Sequence, residues 1–179
     1  MEKREMIGYD IGASVLGALL VATSERGVCA ILLGNDPGGL AEDLRQRFPQ
    51  ATLIPGGVAP EHLAMVTEFV AAPRIGLDLP LDMHGSEFQM RVWRALQEIP
   101  AGTTQTYGEV AQRIGAPHLA KEVGEACAAN PLAVAVPCHR VVRKDGGLAG
   151  YRWGMKRKRA LLEREGARLA ETAGLFESH

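Results

Sequence analysis

The sequence predicts an α+β fold in two parts, residues 1–81 and residues 82–179. Three observations predict it. Apolar, partly β-branched runs at 15–22 and 28–33 flank Ser24-Glu25-Arg26-Gly27, the pattern of a β-hairpin. From about Leu81 onward, the apolar residues fall at helical spacing. The charge also changes: residues 1–90 hold 6 Lys/Arg against 12 Asp/Glu, and residues 91–179 hold 14 against 9.

After the hairpin, a Pro-Gly-Gly breaker precedes a helix over 40–48, with Leu40, Leu44 and Phe48 on one face. A second helix covers 61–71 through Leu63, Val66 and Val70, and 73–80 reads as a connector. In the second half, Phe88, Val92, Trp93 and Leu96 mark a helix face, with Trp93 expected in the core. Ile99-Pro100-Ala101-Gly102 ends that helix. Thr106 and Glu109 form a capping box for a short helix over 107–113. Gly115-Ala116-Pro117 breaks the chain before a further helix that Asn130-Pro131 stops. Two short helices joined by a glycine-containing turn have helix-turn-helix spacing. Residues 132–136 form a buried run, Lys144-Asp145-Gly146-Gly147 a turn, and 154–164 a basic helix with Leu161 and Leu162 inward. Residues 171–179 are expected to fray.

The totals narrow the class. At 46% hydrophobic and 23% charged, the chain has ordinary globular composition. It has no apolar run near the ~20 residues that span a bilayer. The start, Met1-Glu2-Lys3-Arg4-Glu5, lacks the apolar stretch of a signal peptide. Three cysteines without framework spacing point to free thiols in a cytoplasmic setting. A net charge of −1 selects no partner, but Arg140, Arg143, Lys144, Arg152, Lys156, Arg157, Lys158 and Arg159 crowd one segment with only Asp145 opposing them. A basic cluster of this kind suits a polyanion.

The chemistry concentrates in Val136-Pro137-Cys138-His139-Arg140-Val141. Thiolate is the nucleophilic form of cysteine, and at an ordinary pKa of ~8.5 only a few per cent is ionised at neutral pH. The proline fixes the backbone before Cys138, while the adjacent imidazole and guanidinium are groups that lower a thiol pKa. Cys29 and Cys127 read as buried structural thiols. Cys29, His62 and His84 have no standard zinc-ligand spacing, so no metal is expected.

Pro137-Cys138-His139-Arg140-Val141, preceded by Asn130-Pro131 and followed by Gly150-Tyr151 and by Leu161-Leu162 with Glu165-Gly166, resembles the O6-alkylguanine-DNA alkyltransferase family. Within that family it resembles the alkyltransferase half of the bacterial adaptive-response protein. The N-terminal hairpin and Phe88-Gln89 with Val92-Trp93 match as well, so the likeness covers nearly the whole chain. The resemblance implies a ribonuclease H-like sheet domain, then a mostly helical domain with a helix-turn-helix. It also implies minor-groove binding, base flipping, and single-turnover transfer of an alkyl group from O6-alkylguanine in duplex DNA to cysteine.

By the same resemblance, Cys138 is the acceptor, His139 acts on it through a water, and Glu165 orients His139. Tyr107 lies near the flipped nucleotide and donates to the leaving base. Asn130 is a hinge under the thiol loop. Val141, Tyr151 and Arg152 border the base pocket, with Arg140 and Lys121 on the DNA side. No cofactor is expected, because the damaged base is itself the alkyl donor, and a monomer is expected. The chain departs from the family at Lys121, where an arginine usually fills the vacated base stack, and in carrying Glu122 and Glu125 on the same helix. Lysine does not stack as guanidinium does. Two other readings remain: a damage-recognition module that transfers nothing, and a cysteine hydrolase using Cys138 and His139.

Overall fold

A computed structural model describes residues 4–148 and 150–167; the expected fraying of 171–179 lies outside the described residues. The chain forms two compact units. The first runs to His84 and takes back residues Pro131–Ala135, and the second holds Gly85–Asn130 and the chain from Val136 onward.

The first unit is a four-stranded sheet with two helices. The strands are β1 (Met6–Ser14), β2 (Gly17–Ser24), β3 (Gly27–Gly34) and β4 (Thr52–Pro55), in the order β3-β2-β1-β4. The expected hairpin is β2–β3, antiparallel, with Leu20 opposite Leu32 and Val21 opposite Ile31. Leu19, Leu20, Val21, Ala22, Cys29, Ala30 and Ile31 are fully buried, so these strands are covered on both faces. β1 pairs antiparallel with β2 and parallel with β4.

The sequence pattern missed both β1 and β4. β1 interleaves Gly8 and Gly12 with Ile7 and Ile11, which blurs a period-two signal. Gly8 is there because the chain crosses close above it: a Cβ at residue 8 would sit 2.5 Å from the Gly57 carbonyl oxygen. The free side of β3 is not left open. Val28 N–H donates to Pro80 O and Ile31 N–H to Pro131 O, while Asp82 and Ala133 donate back to Val28 and Ile31. Covering an edge this way removes a template for aggregation.

Helices α1 (Pro37–Arg47) and α2 (Pro60–Ala71) match the two expected ones. Each begins with proline, and Asp36 caps α1.

In the second unit, Ser86 and Gln89 form a capping box that starts α3 (Glu87–Gln97). Trp93 on α3 is fully buried, and its indole Nε1 donates to Ala126 O at 2.9 Å. Gly85 lies against that ring, where a Cβ would come within 2.5 Å of Trp93. Thr106 and Glu109 form the expected capping box for α4 (Tyr107–Arg113). Residues 114–119 lead to α5 (Ala120–Ala128). Cys138–Arg140 form one 3₁₀ turn, and β6 (Val141–Val142) then pairs parallel with β5 (Gln105–Thr106). The last described helix is α6 (Met155–Arg164), with Leu161 and Leu162 buried.

Candidate active site

Cys138 begins the 3₁₀ turn and is buried. Its own N–H donates to Val136 O at 2.8 Å, which folds the chain tightly around Pro137. The Asn130 amide beneath the turn donates to Val136 O at 2.8 Å and to Cys138 Sγ at 3.4 Å. The expected hinge asparagine therefore holds both the loop and the sulfur.

Cys138 opens on a cavity of about 410 Å³, within the range of small-molecule sites. Its wall includes Tyr107 from the start of α4, Gly124, Cys127 and Ala128 from α5, and Gly150, Tyr151 and Arg152 from the loop before α6. Tyr151 keeps its hydroxyl buried with no hydrogen-bond partner among the described residues. A buried orphan hydroxyl is costly unless a ligand completes it. Arg152 lies over the Trp153 ring and donates to Asn130 O at 2.9 Å.

Behind the sulfur lies a buried charge cluster. His139 and Glu165 are fully buried. His139 donates through Nε2 to Glu165 Oε2 at 2.8 Å, because a carboxylate only accepts. That leaves Nδ1 as an acceptor, with no partner among the described residues. Burial holds the imidazole below its usual pKa, against the pull of Glu165. Desolvation raises the Glu165 pKa, but hydrogen bonds from His139 and Arg140 outweigh it and hold the carboxyl ionised, down to about 2.

Arg140 does not fit the expected DNA-side role. Its guanidinium faces inward, with Nε and Nη2 donating to Glu165 at 3.0 and 2.7 Å and Nη1 to Ile99 O at 2.7 Å. The bidentate grip on a buried carboxylate makes it a holder of Glu165. Nor do His139 and Arg140 lower the Cys138 pKa as their adjacency suggests. Burial raises the thiol above its ordinary value, and the opposing influences are Asn130, Lys158 and Arg152. The 3₁₀ turn explains the difference, since it directs the two basic side chains to Glu165.

Val141 is fully buried and is not among the described wall residues; its carbonyl accepts from Lys158 Nζ at 2.6 Å. Lys121 is exposed on α5, as is Glu125 one helical turn on. Sequence reasoning assigned Lys158 to the basic surface patch, yet it is fully buried. Its placement three and four residues before Leu161 and Leu162 was the available signal, because those positions share a helix face. Cys127 was expected to be a structural thiol, and its burial does raise its pKa, but it also lines the cavity.

Among the described residues, Glu5, Asp82 and His84 in the first unit bring ligand-type atoms within 4.8 Å of one another. Asp82 already accepts from Ser24 Oγ at 2.5 Å and His84 Nε2 at 2.8 Å, which accounts for that grouping without an ion.

The site thus combines a loop-held thiol, a buried imidazole–carboxylate pair and a cavity onto which the thiol opens. Residues 87–167 match the family model of the 6-O-methylguanine DNA methyltransferase DNA-binding domain. The bifunctional transcriptional activator/DNA repair enzyme Ada of Escherichia coli is 48% identical over 89% of this chain and 45% of its own length. The inducible methylated-DNA–protein-cysteine methyltransferase of Bacillus subtilis is 37% identical over 81% of this chain and 82% of its own. A crystal structure of Mycobacterium tuberculosis OGT in complex with DNA superposes with a TM-score of 0.76 at 35% identity, covering 94% of this chain and 99% of that one. The chain belongs to the methylated-DNA–protein-cysteine methyltransferase family. It spans about half the length of the Ada-type relatives it matches.

Proposed function

We propose that this chain repairs DNA by direct reversal, moving a methyl or larger alkyl group from O6 of guanine in duplex DNA to Cys138, once per molecule. The observation that carries this reading is the juxtaposition of Cys138 Sγ, gripped by Asn130, with a cavity walled by Tyr107, Tyr151 and Arg152. The relative captured on DNA supports the same reading.

In this reading, α4 and α5 act as a helix-turn-helix laid into the minor groove, and the first unit is a ribonuclease H-like sheet domain, with the boundary near residue 81. The lesion base is extruded into the cavity at a cost of a few kcal/mol. His139 is neutral at pH 7, and its free Nδ1 takes the thiol proton through a water. The Sγ–carbon bond forms as the carbon–O6 bond breaks, and the bonding pair leaves with the guanine. Tyr107, whose pKa burial pushes up to about 12, still carries its proton and donates it to the leaving base. The Tyr151 hydroxyl meets the base edge and gains its missing partner.

The product is unmodified guanine and a cysteine thioether. A thioether offers no carbonyl for water to attack, so the protein ends alkylated and no cofactor takes part. Lys121 enters the space left by the base, less well than an arginine would. The protein acts as a cytoplasmic monomer; among the described residues no helix is long and apolar enough to cross a membrane.

Intact mass after incubation with O6-methylguanine duplex tests the proposal. One added methyl per protein, located at Cys138 and absent from Cys138→Ser, is the expected result. Binding without mass gain would make the chain a damage-recognition module, and repeated turnover of an ester would make it a hydrolase.

A further inference from the structure

Among the described residues, Lys158 is the largest charged side chain sealed completely from solvent. Burying an ammonium is costly unless something specific receives it. Lys158 Nζ donates to Val141 O at 2.6 Å, and the N–H of the same residue donates back to the Cys138 carbonyl. A hydrogen-bonded path thus runs from the ammonium through the Val141 residue to the backbone of Cys138. Hydrogen bonds in such a chain polarise one another, more so in a low-dielectric interior.

We infer that Lys158 is the positioning residue and counter-charge of the reactive sulfur, fixing the turn that presents Cys138 and holding its thiolate by a buried positive charge. The inference rests on the reading of Cys138 as the alkyl acceptor. It assigns the lysine a task that the His139–Glu165 pair does not perform. That pair removes a proton, whereas Lys158 stabilises the anion left behind. The cluster without it is poorly suited to an anion, because Glu165 neutralises Arg140 and His139 is uncharged. Arg152 is the other cation whose field reaches the sulfur, but it is exposed and screened.

Cys138 and His139 on the 3₁₀ turn and Cys127 on α5 are titratable groups whose charges act with that of Lys158. Burial brings the Lys158 pKa down to about 8, and Cys138 and Cys127 oppose that fall.

The test measures thiol reactivity of the full chain with iodoacetamide from pH 5 to 10, with modification of Cys138 read by peptide mass. Wild type is compared with Lys158→Met, which matches the length of the side chain without its charge, and with Lys158→Arg. Replacing a buried charge by an apolar chain of similar volume is commonly tolerated. The Lys158→Met thiol profile is expected to shift to higher pH by at least one unit, with about a tenfold loss of reactivity at pH 7, and Lys158→Arg is expected to recover most of it. Should Lys158→Met fail to fold, Lys158→Gln, which keeps a donor for Val141 O, is expected to show the same loss. A folded neutral variant with a wild-type thiol profile overturns the inference. Failure of wild type to take a methyl from duplex DNA would instead sink the proposed function and leave this titration readable.

Discussion

At the scale of single residues, Glu165 decides the behaviour in acid. Its carboxylate is fully buried between His139 and Arg140, and its folded-state pKa of about 2 lies below the usual 4.5. A depressed acid contributes stability above its unfolded pKa and loses it as pH falls toward the folded one. The gap corresponds to about 3 kcal/mol. His139 acts earlier and in the same direction. Its folded pKa lies below 6.5, so the unfolded chain binds that proton first and stability starts to fall as pH drops through 6.5. Urea unfolding at pH 7, 5 and 3 should show a two-stage decline. Glu165→Gln should flatten its lower stage and cost about 3–5 kcal/mol at pH 7, since it leaves Arg140 buried without a counter-ion. Asn130→Ala tests the sulfur's own hydrogen bond. It removes one of the two donors to Val136 O, the Cys138 N–H remaining, and should cost about 0.5–1.5 kcal/mol and slow alkylation of Cys138 relative to wild type.

At the scale of elements, the helices were legible where local chemistry sets them. Thr106 and Glu109 announced α4, and Asn130-Pro131 announced the end of α5, because capping and proline act within one turn. β1 and β4 were not legible, because their pairing depends on partners far along the chain and on glycines that admit close crossings. The inward turn of Arg140 was hidden for a related reason: its partners Glu165 and Ile99 lie 25 and 41 residues away. Helix α5 carries the element-scale prediction. Gly124 and Ala128 line the cavity, and Lys121 and Glu125 are exposed on the same helix. If this helix enters DNA, Lys121→Arg should raise the repair rate on duplex DNA by restoring a planar, stacking cation. Glu125→Gln should tighten binding to undamaged duplex at low salt and lose that advantage at high salt, as removal of a like charge near phosphate requires. Fluorescence anisotropy over a salt series checks the second change, and no gain in single-turnover rate counts against the first.

For the whole molecule, the informative feature is the path of the chain between Asn130 and Val136. Both of those residues belong to the second unit, yet Pro131–Ala135 belong to the first. Leu132 is fully buried and bridges Ile31, flanked by hydrogen bonds from Ile31 N–H to Pro131 O and from Ala133 N–H to Ile31 O. Two residues on, Val134 has φ of 70°, a left-handed conformation rare for a β-branched side chain, and the Ala135 N–H turns back to Ala133 O at 2.7 Å. Such geometry persists only where the surroundings over-determine it, and here β3 supplies that constraint. The side chain that grips the sulfur and the sulfur itself are thus the two ends of a short segment anchored on the sheet. Leu132→Ala should therefore do two things. It should cost about 2–5 kcal/mol of stability through the cavity left in the first unit. It should also slow alkyl transfer to Cys138 at temperatures where the protein is still folded, because the segment linking Asn130 to the thiol loses its anchor. A conservative Leu132→Met, which keeps the volume, should preserve both. Chemical unfolding alongside single-turnover mass measurements separates the two effects. A Leu132→Ala protein that loses stability but transfers methyl at the wild-type rate would show that the second unit sets the geometry of Asn130 and Cys138 unaided.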